Sequence, residues 1–187
     1  MPQRRPAPEP DAERWLAVVL PLALRRTLGL HQRGASDPAL RFEVSGSAWR
    51  ATRTPQGPAT LLVELRGDTV RARAWGPGAT WSLERLEALV GLDDDPGGLI
   101  PQHAVVAAAV RSVPGLRIGR TGAVIEALIP AILEQKVTGA EAGRTYRGLV
   151  ARYGEPAPGG VGLRLPPDPR VLAALPYHAF HPLGLER

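Results

Sequence analysis

The spacing of apolar residues changes part-way along the chain. In the stretch TVRARAW, Val70, Ala72 and Ala74 alternate with Thr69, Arg71, Arg73 and Trp75. One face is small and apolar and the other mainly basic, the signature of a half-buried strand. The run before it, ATLLVELR, reaches it through Gly67-Asp68, a two-residue hairpin turn with glycine first. Val63, Leu65, Val70 and Ala72 are expected on the buried faces of that hairpin. LRFEVSG, AWRATRT and RWLAVVL are shorter strand candidates. Two helices fit around them: LALRRTLGLHQ, and SLERLEALVG with Leu83, Leu86, Leu89 and Val90 on one side. Residues 14–98 therefore predict a small antiparallel sheet with helices against it, an α+β unit. The Pro-rich lead-in over residues 1–13 is expected to be disordered.

LDDDPGGLIP then breaks the pattern with an acidic run, Pro96 and a glycine pair, and marks a boundary near residue 98. Asp93, Asp94 and Asp95 lack the alternation of a calcium loop and read as a solvated linker. Beyond it the rhythm is helical. PQHAVVAAAVRSV predicts a helix with Pro101 in its first position and a stop at Pro114-Gly115. Val124, Ile125, Leu128, Ile129, Ile132 and Leu133 trace one stripe of another, with Pro130 inside it to bend the axis. Thr138-Gly139-Ala140-Glu141 is a capping box opening a further helix, with Ala142, Tyr146, Leu149, Val150 and Tyr153 on one face and Gly154 at its end. Asp168 and Pro169 start one more. Residues 99–187 are thus a helical segment following the sheet.

Composition narrows the chemistry. Hydrophobic residues make up 44% of the 187 and charged residues 22%, as in globular proteins that bury a core. The absence of cysteine excludes disulfides, Cys-ligated zinc and thiol catalysis. The apolar run RWLAVVLPLALRR is interrupted by Pro21 and has no small-residue cleavage site after it, and no stretch is long enough to span a bilayer, so a cytoplasmic protein is expected. His178 and His181 are three apart but have no third ligand nearby; no metal or other cofactor is expected. Glu126 and Glu134 read as surface charges, His31 and His103 have no discernible partners, and Trp15, Trp49, Trp75 and Trp81 read as core of the sheet unit. The formal net charge is +5, most of it in the helical segment, which permits a polyanionic partner.

One detail sharpens that permission. Lys136 is the only lysine, the other 22 of the 23 basic residues being arginine. With Gln135 and Val137 it sits at the joint between the Pro130 helix and the helix capped by Thr138. Backbone amides of a helix start, a cation and an amide side chain meet at one corner, which suits a phosphate backbone or a groove edge.

The segment PGLRIGRTGAVIEALIPAILEQKVTGAEAGRTYRGLVARYG, residues 114–154, resembles the start of the glycosylase domain of DNA-3-methyladenine glycosylase II, in the helix-hairpin-helix superfamily of base-excision repair enzymes. Ala131, Ile132, Leu133, Gln135, Val137, Thr138 and Gly154 match that family's joint pattern. The resemblance implies that the strand-rich part is the family's small sheet domain, similar to half of a TATA-binding-protein fold. It implies an all-α glycosylase domain after it, double-stranded DNA with alkylated bases as partner, and hydrolysis of the N-glycosidic bond. It further implies that the side chain after the joint glutamine enters the duplex where the damaged base is flipped out, which makes Gln135, Lys136 and Thr138 the candidate DNA-binding residues.

The sequence departs from the family in two places. A lysine stands where an apolar wedge is usual; its four-carbon stem still fills space, but its ammonium favours phosphates. The Gly-rich hairpin and the downstream catalytic aspartate that the resemblance implies have no match up to Arg187. Catalytic residues are therefore expected in a missing C-terminal half, and residues 1–187 alone are expected to be inert. Three functions stay open: the N-terminal part of an alkylation-repair glycosylase, a non-enzymatic DNA-binding or damage-sensing module, and a basic domain with no nucleic-acid role.

Overall fold

The structure, a computed structural model, describes residues 7–185. Seven strands and seven α-helices follow one another as β1 (Ala12–Ala17), α1 (Leu24–Gly29), β2 (Leu40–Phe42), β3 (Ala48–Thr54), β4 (Gly57–Arg66), β5 (Thr69–Trp75), α2 (Ala79–Glu84), α3 (Leu86–Leu89), α4 (Ala104–Ser112), α5 (Val124–Leu133), α6 (Gly139–Tyr153), β6 (Glu155–Pro156), β7 (Arg164–Leu165) and α7 (Pro169–Ala174). Strands β1 to β5 form one antiparallel sheet in the order β1-β5-β4-β3-β2. The α+β class predicted from the alternating runs is the class observed.

Period-two patterning sets the register. Arg66 pairs with Thr69 across the Gly67-Asp68 turn, and Gly67 has φ 63°, the left-handed value this turn requires of its first residue. Val63, Val70, Ala72 and Ala74 consequently fall on one face, almost fully buried against Leu28, Leu83, Leu86, Leu89 and Val90, with Leu65 packed at the edge. Each large aliphatic side chain sealed there contributes about 1.5–3 kcal/mol. SLERLEALVG breaks into α2 and α3 at Arg85, whose φ/ψ of −94°/10° leaves the helical region.

The opposite face of the sheet is covered from the far end of the chain. After α6, residues 155–165 form the two-stranded β6-β7 ribbon, and Ala157, Leu163 and Leu165 pack on Ala51 and Trp49. Trp49 stacks on Trp75 with ring centroids 5.2 Å apart, and Thr60 Oγ1 donates to the Pro158 carbonyl at 2.8 Å. Gly154 allows the return: a β-carbon there would sit 2.4 Å from the Leu165 carbonyl oxygen and 2.5 Å from that of Val150. Its φ of −82° shows that close approach, not a left-handed turn, is the reason for glycine.

Several expectations change on contact with the structure. Trp15 is not core; it is exposed, with Arg71 over its ring at 4.9 Å. Pro101 does not open α4, because Gln102 and an extended His103 intervene. The three aspartates are bonded rather than merely solvated: Asp93 pairs with Arg120, Asp94 accepts from the Ile118 amide at 2.7 Å, and Asp95 caps a single 3-10 turn at 96–98. They pin the segment that leads into α5. Of the lead-in, residues 1–6 lie outside the described residues; beyond them Pro8 accepts from Trp75 Nε1, and the Asp11 amide donates to Ala74. Among the described residues no helix is long and apolar enough to cross a membrane.

Candidate nucleic-acid interface at the joint between two helices

Helix α5 carries Pro130 in its interior and ends at Leu133. Pro130 and Leu133 are its buried residues, and Leu133 packs with Ala142, Tyr146 and Val150 of α6, so the helix pair is anchored just behind the joint. Glu134 is still right-handed, and then the chain reverses at Lys136, whose φ is 60°. Among the described residues Lys136 is the one non-glycine with positive φ. That conformation costs about 1–2 kcal/mol for a residue with a β-carbon. Such strain persists only where its surroundings impose it.

The imposing feature is the start of α6. Thr138 adopts extended backbone angles and its Oγ1 accepts from the Glu141 amide at 3.3 Å, while the Thr138 amide donates to Glu141 Oε2 at 2.9 Å. The two Thr138 bonds, backbone first and hydroxyl second, hold the Glu141 carboxyl below its ordinary range. The capping box predicted from the sequence is present with both of its bonds. Gln135, Lys136, Val137 and Thr138 are all exposed, so the predicted residues lie on one exposed corner. First-turn amides of a helix lack intrahelical partners, and here one of them is taken by Thr138.

Behind the corner lies a polar cluster that sequence reasoning missed. Glu126, taken as a surface charge, is half-buried and points from α5 onto β3. Its Oε1 accepts from Thr52 Oγ1 at 2.9 Å and from the Arg53 amide at 2.7 Å, and its Oε2 from Arg50 Nη2 at 2.8 Å. Arg50 and Thr52 are themselves buried. Next to them is a cavity of about 40 Å³ lined by His31, Arg33, Asp37, Arg50, Glu126 and Tyr146. Asp37 accepts from the amides of Arg33, Ala39 and Leu40, and burial raises its pKa against them. His31, whose Nε2 is buried without a hydrogen-bond partner, is driven down to about 4, first by burial and then by Arg50 and Arg33. Burial, with Asp37 and Glu126 nearby, pushes the Tyr146 hydroxyl up. The cluster ties α5 to β3.

The comparisons place this architecture. No protein-family pattern matches the chain and no curated protein does. Among solved structures, the 3-methyladenine DNA glycosylase from Archaeoglobus fulgidus superposes with a TM-score of 0.71 at 16% identity, over 92% of this chain and 62% of that one. MBOgg1 in complex with a low-affinity DNA ligand gives 0.69 at 18%, over 96% and 60%. The apo 8-oxoguanine glycosylase/lyase of Clostridium acetobutylicum gives 0.67 at 12%, over 95% and 60%. The chain has the fold of DNA glycosylases. It spans about 60% of the length of the solved chains it matches.

Proposed function

We propose that this chain is the sheet domain and first helices of a DNA glycosylase of base-excision repair, and that the 135–138 corner enters the duplex at a flipped base. The observation that carries the proposal is Lys136: an exposed cation held at φ 60° by a capped helix, in a chain whose fold follows DNA glycosylases over nearly its whole length. A lysine in that position pairs an aliphatic stem, for the gap left by the base, with an ammonium for the flanking phosphates. The family resemblance of residues 114–154 favours alkylated bases as the lesions.

Catalysis in this proposal depends on helices contributed by the remaining part of a glycosylase. The surface of α5 supports that: Val124, Ile125, Leu128 and Ile132 are exposed, and α4 buries none of its residues. Exposed apolar side chains on both helices fit surfaces that further helices would cover. Excision needs a carboxylate to stabilise positive charge growing on the sugar, and electrostatic stabilisation of that kind is worth on the order of 10²–10³ in rate. Residues 1–187 by themselves are accordingly expected to bind abasic-site duplex but to release no 3-methyladenine.

The test is binding of the 187-residue chain to duplex carrying an abasic-site analogue across a salt series. Lys136→Ala and Gln135→Ala should weaken binding with an unchanged fold, and Lys136→Ala should make the salt dependence shallower. Parent-like binding by both variants would reduce the corner to a structural turn. Liberated base above a heat-inactivated control would place the chemistry within this chain.

A further inference from the structure

The two glutamates of α5 face the sheet domain from opposite ends of the helix. Glu126 lies in its first turn, and Glu134 just past its last residue. At a rise of about 1.5 Å per residue they stand roughly 12 Å apart along the axis. Each meets an arginine of the sheet domain: Arg50 at 2.8 Å from Glu126, and Arg33 at 3.6 Å from Glu134. The two contacts are unequal. The first is nearly sealed from water, with side chains 10% and 14% exposed, whereas half of the Glu134 side chain is open. Exposed pairs of the second kind contribute little, so Glu126 dominates.

The packing of α5 makes that bond consequential. A helix is normally held in place by its apolar stripe, but most of this stripe faces outward, and only Ile129, Pro130 and Leu133 are drawn inward. On the sheet side the helix is oriented instead by the bonds that Glu126 accepts from Arg50, Thr52 and the Arg53 amide. The other end of the same helix leads, within three residues, into Lys136.

We propose that Glu126 is a positioning residue: by locking α5 to β3 it sets where the 135–138 corner stands relative to the sheet, and so whether Lys136 reaches a DNA duplex. Its effect on DNA rests on the function proposed above, whereas its effect on α5 does not. Removing the carboxylate frees α5 to swing and also strands Arg50 without its buried counter-charge.

The chain has no cysteine, so a pair of spin labels can be introduced at two exposed positions, Arg66→Cys on the sheet and Ala131→Cys on α5. In the labelled parent the pulsed electron-resonance distance distribution should be narrow. Glu126→Ala should broaden it and raise the Kd for abasic-analogue duplex by roughly tenfold, within the range of couplings carried by such contacts. Lys136→Ala should weaken binding with no broadening, which separates contact from positioning. Glu126→Gln retains an acceptor for Thr52 and the Arg53 amide and should recover part of both effects; it carries the test if Glu126→Ala does not melt cooperatively. A folded Glu126→Ala chain with a parent-like distribution overturns the proposal. If the parent ignores the duplex at every salt concentration, the DNA function fails, and the distance distribution alone decides the role of Glu126.

Discussion

Gly67 and Lys136 hold almost the same backbone dihedral, φ 63° and 60°, in two turns filled by opposite residue types. In the β4-β5 hairpin the residue is the one the backbone prefers. A β-carbon at Gly67 would meet no atom within 4 Å, so conformation alone, not crowding, selects glycine. At the α5-α6 joint a long cation has the same φ. The surrounding structure offsets the strain through the Thr138-Glu141 capping box and the packing of Leu133 on Ala142, Tyr146 and Val150. A turn that served only to reverse the chain would do so more easily with glycine. The first turn follows backbone preference, whereas the second departs from it, as the proposed role of Lys136 requires.

Three substitutions break or sharpen that contrast, in descending size. Gly67→Val puts a β-branched residue in the left-handed region and should cost about 2 kcal/mol, more than an unbranched residue would. It would be read from the urea midpoint at constant slope, and an unchanged midpoint would mean that the hairpin shifts its register to escape. Thr138→Ala removes the acceptor for the Glu141 amide and should cost about 1 kcal/mol, with helical content falling at the joint. If the loss is within error, packing alone enforces the positive φ of Lys136. Lys136→Gly should raise stability by roughly 0.5 kcal/mol, since relief of the left-handed strain exceeds the added chain entropy. It should do so while weakening affinity for abasic-site duplex. A destabilised Lys136→Gly chain would show that the side chain itself packs, and the contrast with Gly67 would dissolve.

What the residues reveal unaided depends on how far away their partners are. The hairpin was legible because alternation and a Gly-first dipeptide lie within one short window. The capping box was legible for the same reason, its two residues being three apart. Glu126 was not: its partners at 50, 52 and 53 lie more than seventy residues upstream, and no local pattern tells a buried glutamate from a solvated one. His31 was hidden likewise, its pKa being lowered by burial first and then by Arg50 and Arg33, which only the folded chain brings near it. Trp15 failed in the other direction, because large aromatics are usually core while this one lies on edge strand β1, exposed beneath Arg71. Lys136 stood out as the single lysine, but its backbone conformation could not be read from the residue type.

The ribbon that returns over the sheet has a consequence for biosynthesis. Thr60 finds its acceptor at Pro158, 98 residues later, and Arg53 bonds the Pro166 carbonyl, 113 residues later. A ribosome adding about 5–20 residues per second therefore exposes the strands for roughly 5–20 s before their cover emerges. For that interval Trp49, Ala51 and Thr60 lack the ribbon that covers them in the folded chain. A pause in translation between residues 75 and 158 lengthens the time for which that face of the sheet lacks its ribbon.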